Sequence, residues 1–402
     1  MNRARVLDDE KTAYAKVAAP CPYFGTCGGC AIQDLAYEDQ LTLKRRRLER
    51  ALAPLGLEPP LTLIGLDDPW RYRNKAEFTF GGSPDALTLG YHEAHSFSRI
   101  VDVEECLLLP ASATALARDV RRLAAATGLP AYHPRTHEGF FRYALVRVSH
   151  ASGRLLLSLI TTPGHREVIE PMACALRAAH PALASVYWGT TARLADVAIP
   201  QELVLLEGEP LLEDRIGPFR VRLHPMSFLQ PSTSQADRIY TAMAEAIGTA
   251  APRVVWDLYC GLGLVSFYLA RCAQQLYGID VEPHHLELAK AGAALNGLTN
   301  IEFRAGQVET LLRDKRFWLQ EAKPDAIVVD PPRAGLHPQA LASIQAARAP
   351  RIAYLSCNAQ SLARDLQELG GGFPRYRIAQ VRAFDMFPQT NHVETLVVLE
   401  RQ

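Results

Sequence analysis

The pattern of hydrophobic and polar positions changes about halfway along the chain. In the first half, short stretches rich in Phe, Val and Leu are separated by Gly, Ser or His, which is typical of antiparallel β-strands. The strands predicted there cover residues 76–80, 87–91, 99–103, 143–149 and 154–161. A basic amphipathic helix is predicted over 35–53, with Leu41, Leu48 and Leu52 roughly on one face. This half is therefore predicted to combine a helix with a mostly antiparallel β region.

From about residue 235 the pattern alternates between helix and strand. The predicted helices cover 235–247, 264–273, 283–296, 308–320, 338–347 and 360–369. The strands between them are VVWDL, QLYGID, IEFRAG, AIVVD and IAYLSC, and a final β pair follows at 375–384 and 393–399. Such alternation indicates a mainly parallel, doubly wound sheet, which binds its ligands at the carboxyl ends of the strands.

Composition and charge narrow the class of protein only slightly. A chain of 402 residues is expected to form two or three domains. Lys plus Arg and Asp plus Glu number 43 each, so net charge neither favours nor excludes a nucleic-acid partner. No apolar run is long enough to cross a bilayer, and the first twenty residues lack the apolar core of an export signal. We therefore expect a cytoplasmic protein without a membrane partner, whose eight cysteines are thiols or metal ligands.

The first candidate site is the glycine-rich turn DLYCGLG at 257–263. Gly261 and Gly263 would let the backbone approach a ligand closely, and Asp280 ends the next predicted strand, where a ribose hydroxyl pair would bind. The third glycine of the dinucleotide fingerprint is missing. A nucleoside without phosphates, S-adenosylmethionine, therefore fits better than NAD. A purely structural tight turn is the alternative.

Three further strand ends carry distinctive groups. Asp330 is followed by two prolines in DPPRAG, which make the loop at the ligand edge rigid. Cys357 lies at a strand-to-helix junction, where helix amides are expected to lower the pKa of a thiol. Glu394 begins the last strand after an exposed-looking turn, and the alternative for it is a solvated strand residue. Small buried apolar side chains are expected at the remaining cysteines outside the N-terminal group, Cys174, Cys260 and Cys272.

A nucleophile, a possible base and a polar orienter around a methyl donor select one reaction class. Carbon 5 of uracil reacts poorly with a sulfonium methyl group, but addition of a thiolate to carbon 6 makes carbon 5 nucleophilic. A base must then remove the proton from carbon 5, so that the thiol can be eliminated. The target base has to be looped or flipped out of its stack to be reached.

The segments DLYCGLG, DPPRAGL, YLSCNAQ and DMFPQTNHVE, in this order and spacing, resemble the uracil-5-methyltransferase family that acts on transfer and ribosomal RNA. SFLQPS at 227–232 extends the resemblance, which runs from about residue 20 to the C-terminus. It implies a Rossmann-like S-adenosylmethionine methyltransferase domain and an N-terminal α+β RNA-binding domain with an iron–sulfur site. We expect a tail at 1–20, the iron–sulfur and RNA-binding region at 21–226, and the catalytic domain at 227–402. The helix near 35–53 is a candidate to pack on the catalytic domain.

The resemblance also implies roles for individual residues. Cys357 would be the nucleophile and Glu394 the base, while Phe228 and Asp330 would lie at the target base. The residues expected to contact S-adenosylmethionine are Gln230, Tyr259, Gly261, Gly263, Asp280 and Asp330. Two positions depart from the family pattern. Asp280 stands where Glu is more common, which shortens its reach, and Ser232 replaces a common Asn, which leaves the role of that position open.

The cysteines of the first half form a separate candidate site. Cys21, Cys27 and Cys30 have the spacing C-x5-C-x2-C, and Cys106 follows much later. Spacing alone leaves both zinc and an iron–sulfur cluster open, although zinc sites more often use two C-x2-C pairs. The resemblance is to the iron–sulfur members of the family and implies a [4Fe-4S] cluster on these four cysteines. Its expected role is to order the RNA-binding domain.

Two stretches interleave basic and aromatic residues, WRYRNKAEF at 70–78 and FFRYALVR at 140–147. Alternation along a strand would place Arg71, Arg73 and Lys75 on one face, suited to RNA phosphates, with the aromatic rings free to stack on bases. An ordinary solvated strand face is the alternative. The basic run KRRR at 44–47 is more simply explained as a solvated helix face.

The expected RNA is 23S ribosomal RNA. Only about 20 residues precede the first cysteine of the group, which leaves no room for the N-terminal β-barrel of many ribosomal members. Together with CNAQ at 357–360, this resembles the enzymes that modify one hairpin uridine of 23S ribosomal RNA. The transfer RNA T-loop enzymes are the nearest alternative. An amino-group methyltransferase, suggested by the strand-end Asp-Pro-Pro, and a non-catalytic iron–sulfur RNA-binding protein are more distant ones. No obligate protein partner is indicated.

Overall fold

The computed structural model describes residues 10–402 apart from 58–59, 84, 97, 317, 319–321 and 373. The helices are α1 Tyr37–Leu52, α2 Ala111–Ala126, α3 Arg166–Ala179, α4 Thr233–Gly248, α5 Leu264–Leu269, α6 Pro283–Leu295, α7 Val308–Leu311, α8 Pro338–Ala347 and α9 Ala359–Gly371. The first ten strands are β1 Thr62–Ile64, β2 Lys75–Ser83, β3 Ala86–His92, β4 Ile100–Asp102, β5 Phe141–Val148, β6 Leu155–Thr161, β7 Leu183–Thr190, β8 Glu202–Gly208, β9 Leu212–Ile216 and β10 Phe219–Leu223. The later strands are β11 Val254–Leu258, β12 Gln275–Asp280, β13 Ile301–Ala305, β14 Ala326–Val329, β15 Arg351–Ser356, β16 Tyr376–Phe384 and β17 Glu394–Arg401.

A seven-stranded sheet with the order β4-β3-β2-β5-β6-β7-β8 forms the first half. Its neighbours are antiparallel except β6 and β7, which run parallel because helix α3 connects them as a crossover. The predicted antiparallel region is therefore present. Strand β5 is buried along its whole length, which has consequences for its arginines.

The second large sheet has eight strands in the order β1-β16-β17-β15-β14-β11-β12-β13. Strands β15, β14, β11, β12 and β13 are mutually parallel, whereas β17 runs antiparallel to both of its neighbours. This is the predicted α/β methyltransferase fold with a mainly parallel sheet. From β11 the chain builds the sheet outward in one direction through β12 and then in the other through β14. A ligand cleft is therefore expected where the direction changes, between β11 and β14.

Both faces of the second sheet are covered, which explains the nearly continuous apolar strands. Val255 of β11 enters a core with Ile239 of α4 and Leu286 of α6. The next residue, Trp256, points to the opposite core, which contains Leu362 of α9. Alternate residues of a strand thus fill two different cores.

Segments from before residue 226 also join the second sheet. Strand β1 pairs parallel with β16, Thr62 lying opposite Arg382. Leu48 and Leu52 of α1 are buried in the same core as α9. The domain division at residue 226 stays a prediction, and the structure shows that α1 and β1 contact the later half.

Two predicted helices are shorter in the structure. The helix expected over 264–273 ends at Leu269. Of the stretch expected at 308–320, α7 covers Val308–Leu311, and residues 317 and 319–320 lie outside the described part. Across the described residues, none of the helices has the length and apolar character needed to cross a membrane. The cytoplasmic location stays a prediction.

Candidate active site and cysteine cavity

Cys357 and Glu394 meet at the carboxyl edge of the second sheet. Cys357 directly follows β15, which ends at Ser356, and Glu394 is the first residue of β17. Because β17 runs antiparallel to β15, with Ser356 opposite Thr395, the start of one strand lies beside the end of the other. Asp330 follows β14, the parallel neighbour of β15, at the same edge.

Glu394 is buried rather than solvated, with 2% of its surface exposed. Burial raises the pKa of its carboxyl well above the ordinary value, and the neighbouring Asp330 raises it further. Arg333 acts in the opposite direction. The turn before Glu394 only looks exposed in sequence, because the segments that cover it come from the first 75 residues. Burial and Asp330 thus favour the protonated form of the Glu394 carboxyl.

The Cys357 thiol has a raised pKa, contrary to the prediction from the helix amides. Burial raises the pKa first, and the nearby Glu394 raises it further. Arg333 lowers it through its charge and a hydrogen bond to the thiol. The Asn358 side chain caps α9 by accepting from Gln360 N at 3.1 Å, so this amide is not free for the sulfur.

Arg333 is the residue that sequence reasoning missed. It lies in DPPRAG directly after the two prolines, and that position was the available signal. Its carbonyl accepts hydrogen bonds from Asn358 Nδ2 at 2.9 Å and Ser361 Oγ at 3.1 Å. The buried Asp365 carboxylate accepts from Leu336 N at 2.8 Å, at the far end of the loop. Helix α9, which follows the thiol, thus also fixes the loop that carries its cation.

Replacing Arg333 by methionine is expected to raise the pKa of the Cys357 thiol, because a hydrogen-bonded cation is lost. At pH 7.5 the rate of Cys357 alkylation by iodoacetamide, followed by mass spectrometry of its peptide, should fall about tenfold. The deficit should shrink as the pH rises above the new pKa. The control is Arg377→Met, which removes an arginine paired with Glu400 at the other end of the sheet. An unchanged alkylation profile in the Arg333 variant would contradict this role.

The glycine-rich turn faces Asp280 across the sheet edge. Gly261 has φ +52° and open space beside it, as a close ligand approach requires. The Asp280 carboxylate accepts from Gly261 N and Glu282 N, both at 2.9 Å. Gly263 has φ +72°, and a Cβ there would lie 2.7 Å from the Phe303 ring, so packing also demands this glycine. Tyr259 begins the turn with φ +66°.

Gln230 and Asp330 form the other wall of the cleft. The Gln230 side chain hydrogen-bonds Asp330 and lowers the pKa of its carboxyl, but burial dominates and raises it to about 7. The Gln230 carbonyl accepts from Asn74 Nδ2 at 2.8 Å, so the first half of the chain holds this segment. Phe228, 61% exposed, lies two residues before Gln230. Ser232 caps α4 by accepting from Gln235 N, which accounts for the position where the family more often has Asn.

Asp257 lies under the glycine-rich turn and is 1% exposed. Burial raises the pKa of its carboxyl to about 7, although Ser266 Oγ donates a hydrogen bond to it at 2.5 Å. A raised pKa means that the protonated form stabilises the fold below about pH 4 and that this stabilisation is lost as the pH rises through about 7.

The Asp257→Asn variant is therefore expected to lose less stability than the parent protein between pH 5 and pH 8, by up to about 3 kcal/mol. The amide keeps an acceptor for Ser266 and never ionises. The free energy of unfolding in urea, measured at both pH values without ligands, tests this. As a control, Asp325→Asn changes an acid that is about one-third exposed and should leave the pH dependence unaltered. Equal pH slopes for Asp257→Asn and the parent would refute the prediction.

Cys21, Cys27, Cys30 and Cys106 line one cavity of about 560 Å³, together with Arg73. All four are free thiols and half-buried. Burial raises the pKa of Cys27 and Cys106, and it raises that of Cys30 to about 12. In the described part of the chain, no three His, Cys, Asp or Glu side chains come close enough together to hold a metal ion. The thiols therefore surround a space and do not converge on one point.

The predicted basic RNA face at 70–78 is wrong in its geometry. Strand β2 begins only at Lys75, so Arg71 and Arg73 are not on it. Arg71 is exposed but paired with Glu105 at 2.8 Å, and Lys75 is paired with Glu77 at 2.6 Å. Arg73 lines the cysteine cavity. Among the interleaved aromatics, Tyr72 is buried and donates to Pro388 O at 3.1 Å, so it is not free to stack on a base.

The second basic stretch is buried, which contradicts its predicted contact with RNA. Arg142 donates to the carbonyls of Arg193 at 2.7 Å and Ala195 at 2.8 Å. Arg147 donates to Pro225 O at 3.0 Å and to Ser227 O. A buried guanidinium needs such acceptors, and these two hold loops in place, including the one that leads to Phe228.

Two smaller predictions are also corrected. Lys44 of the basic run is not solvated, because it forms a fully buried ion pair with Asp385 at 2.6 Å. Cys174 is exposed on α3 and not a buried apolar residue, whereas Cys260 is buried and Cys272 partly so. Helical periodicity could not distinguish these cases, since the covering elements come from distant parts of the chain.

Comparisons with known proteins identify the family of this chain. A family model described as tRNA (Uracil-5-)-methyltransferase matches residues 36–402. A protein of Halalkalibacterium halodurans described as an uncharacterized RNA methyltransferase is 33% identical over 403 residues, covering 98% of this chain and 86% of the relative. A protein of Caldanaerobacter subterraneus with the same description is 34% identical over 392 residues, covering 96% of this chain and 85% of the relative.

A solved structure is similar over almost the whole fold. The crystal structure of Pyrococcus abyssi tRNA (uracil-54, C5)-methyltransferase in complex with S-adenosyl-L-homocysteine superimposes with a TM-score of 0.75 at 25% identity. The match covers 93% of this chain and 86% of that one. The chain therefore belongs to the tRNA (uracil-5-)-methyltransferase family and is an S-adenosylmethionine-dependent RNA methyltransferase.

Proposed function

We propose that this protein methylates carbon 5 of a uridine in RNA through a covalent adduct between Cys357 and carbon 6 of the base. The observation that carries the proposal is the meeting of Cys357, Glu394 and Arg333 at the carboxyl edge of the sheet. A nucleophile, a proton acceptor and a cation lie there beside Asp330 and the glycine-rich turn. An amino-group methyltransferase has no need of this thiol.

The reaction follows from what each side chain can do. The Cys357 thiolate, stabilised by Arg333, forms a bond to carbon 6, and the electron pair of the 5,6 double bond makes carbon 5 nucleophilic. S-adenosylmethionine supplies the electrophilic methyl group, and carbon 5 takes it. Glu394 then accepts the proton of carbon 5, the double bond re-forms, and the carbon–sulfur bond breaks to release the thiolate.

Glu394 has to be ionised when it accepts that proton. Its pKa is raised by burial and by Asp330 and lowered by Arg333. Positive charge that enters the cleft beside Asp330 lowers the pKa of both carboxyls. A sulfonium bound beside Asp330 would therefore favour the ionised, basic form of Glu394.

The remaining roles divide between the two walls of the cleft. S-adenosylmethionine is proposed to bind at the glycine-rich turn and the end of β12, in contact with Tyr259, Gly261, Gly263 and Asp280. The support is the open space beside Gly261 and the Asp280 carboxylate facing it. Gln230 and Asp330 are proposed to contact both the methyl donor and the target base. The exposed Phe228 ring is available to stack on that base.

The proposed RNA is a hairpin of 23S ribosomal RNA, on the sequence resemblance described above. The second candidate is the T loop of transfer RNA, favoured by the structural likeness to a tRNA (uracil-54, C5)-methyltransferase. Arg71 and Lys75 are proposed to contact the RNA, but both are already ion-paired. Their contribution should therefore be smaller than that of unpaired cations. Arg73 is proposed to act at the cysteine cavity.

Incubation with S-adenosylmethionine and RNA containing 5-fluorouridine tests the reaction. Fluorine at carbon 5 cannot leave as a proton, so the adduct should persist and migrate as a protein–RNA complex on a denaturing gel. Ribosomal hairpins and T-loop stems, compared at equal salt, address the substrate. If RNA that the protein methylates as ordinary uridine yields no trapped complex when fluorinated, the covalent mechanism is excluded.

We also propose that Cys21, Cys27, Cys30 and Cys106 hold a [4Fe-4S] cluster. Four thiols around a cavity of about 560 Å³ suit a cluster, whose ligands are spread around a cube, better than a single zinc ion. Arg73 at the cavity wall offers a positive charge to the thiolates.

Cys27→Ser is expected to abolish the brown colour and iron content of protein prepared without oxygen, because one of four ligands is lost. Binding to RNA should weaken or folding should fail, if the cluster orders this region. Absorbance near 400 nm, iron analysis and an RNA-binding titration measure these effects. Cys174→Ser, which changes an exposed thiol far from the cavity, is the control. Iron and RNA affinity that remain intact in Cys27→Ser would rule out the cluster.

A further inference from the structure

The loop at 385–393, here called the base loop, connects β16 to β17 and ends directly before Glu394. Its residue Gln389 is 1% exposed and has φ +69°, a conformation that costs a non-glycine residue energy. Such a conformation persists only where its surroundings enforce it. Two elements from the start of the chain do so.

The first is a polar stripe on helix α1. Four polar residues share one face of this helix because they are spaced by three, four and three residues. They are Tyr37, Gln40, Lys44 and Arg47. Lys44 Nζ donates to the Asp385 carboxylate at 2.6 Å and to Phe387 O at 3.0 Å. Tyr37 donates to the same carboxylate at 3.0 Å. Arg47 donates to Asn391 Oδ1 at 2.7 Å, at the far end of the base loop.

Gln40 holds the middle of the base loop at the strained residue itself. Its Oε1 accepts from Gln389 N at 3.1 Å, and its Nε2 donates to Gln389 Oε1 at 2.9 Å. The Gln40 side-chain amide thus binds both the main chain and the side chain of Gln389. Gln40 is 2% exposed, so neither bond is replaceable by water without opening the structure.

The second element is the segment that carries the cysteines. The Gln389 carbonyl accepts from Ala31 N at 2.8 Å and from Ile32 N at 3.2 Å, directly after Cys30. The Gln33 side chain in turn donates to Cys30 Sγ at 3.1 Å and accepts from Cys21 N at 3.3 Å. Residues 390–392 of the base loop line the cysteine cavity themselves. The cysteine site and the start of β17 are therefore two sides of one hydrogen-bonded unit.

We propose that Gln40 and Gln389 are positioning residues for Glu394, and that the cysteine segment sets the position of the catalytic base through the Gln389 carbonyl. The proposal rests on the proposed function, in which Glu394 acts only after the methyl group has been transferred. Loosening the base loop should then slow removal of the carbon 5 proton and leave thiol addition and methyl transfer largely intact. The methylated Cys357–RNA adduct should accumulate as a result.

Gln40→Leu tests this directly, because leucine preserves the size of the side chain and removes both bonds to Gln389. The variant is incubated with ordinary uridine RNA and methyl-labelled S-adenosylmethionine. The fraction of enzyme in a denaturation-resistant labelled complex should rise about tenfold or more over the parent, since misplacing a catalytic group by about 1 Å can slow a reaction by about 10²-fold. kcat should fall with KM for RNA unchanged. Glu49→Gln, on the exposed side of α1, is the matched control and should resemble the parent.

Gln33→Leu and Cys30→Ser extend the test to the cysteine segment. Gln33→Leu keeps all four cysteines and loosens their segment, so it should raise the labelled adduct fraction in the same direction as Gln40→Leu. Bound iron and the adduct fraction are measured on the same samples. The link to the cysteine segment is wrong under the following combination of results. Gln40→Leu accumulates adduct, Gln33→Leu does not, and Cys30→Ser either behaves like the parent or fails to fold.

The outcomes separate this inference from the proposed function. Parent protein that forms no complex with 5-fluorouridine RNA overturns the proposed function itself. Parent protein that forms that complex, together with a Gln40→Leu variant whose adduct fraction on ordinary uridine stays at the parental level, overturns only the positioning role. An equal loss of both 5-fluorouridine trapping and turnover in Gln40→Leu would show a general structural defect, and would also refute the specific role.

Discussion

Cys357→Ala is expected to reduce RNA methylation by at least about 10⁴-fold, because without a nucleophile carbon 5 of uracil cannot attack the methyl group at a useful rate. Trapping by 5-fluorouridine RNA should disappear completely, since the carbon–sulfur bond cannot form. The fold should persist. The thiol is only about half-buried at the mouth of the cleft, and its removal leaves little empty volume.

The measurement is transfer of labelled methyl to RNA, with a denaturing gel for the adduct. Cys174→Ala serves as the control because that thiol is exposed on α3 and distant from the sheet edge. Methylation that survives in Cys357→Ala would favour the amino-group methyltransferase interpretation, whose chemistry needs no thiol. Binding of S-adenosylmethionine to the inactive variant would separate this result from a loss of the cofactor site.

Glu394→Gln should stop the reaction after methyl transfer and lower kcat by about 10²- to 10⁴-fold, the usual contribution of a general base. An amide replaces the buried carboxyl with little change in size, so the structure should be retained. Methyl transfer from S-adenosylmethionine should still occur once per enzyme. The product should be a stable labelled protein–RNA adduct on ordinary uridine, without any fluorinated base.

Single-turnover kinetics with labelled methyl donor check this second prediction. Glu400→Gln changes another acid of β17, at the opposite end of the strand and paired with Arg351, and should behave like the parent. A Glu394→Gln variant that neither transfers a methyl group nor forms an adduct would show that the carboxyl is needed earlier, at thiol addition. One that turns over normally would remove Glu394 from the mechanism.

Much of the second half could be predicted from local patterns. The strand ends at Asp280, Asp330 and Cys357 lie at one sheet edge because parallel strands in a doubly wound sheet all point the same way. The glycine-rich turn has its predicted position because Gly261 and Gly263 adopt positive φ, which few other residues tolerate. Family membership followed from these motifs, and the family model confirms it.

The pKa of Cys357 and the surroundings of the arginines were less predictable, because they depend on which groups the fold brings together. The Cys357 pKa was expected to be lowered by a helix and is raised, since burial and Glu394 outweigh Arg333. The basic stretches at 70–78 and 140–147 were expected to face RNA, yet Arg142 and Arg147 are buried and hold loops. The sequence does not show whether the charge of an arginine is solvated or is buried against carbonyl groups.

The sequence by itself determined the local frame of this protein: the alternating elements, the tight turns and the order of the reactive groups along the chain. Only the tertiary structure decided which distant groups share a site. The antiparallel β17 brings Glu394 beside Cys357, and helix α1 with the cysteine segment covers the loop that leads to it. The physical reason is range. Periodicity and turn chemistry act over a few residues. The charges of Asp330 and Arg333 act on Glu394 from about 60 residues away, and Gln40 binds Gln389 from about 350 residues away.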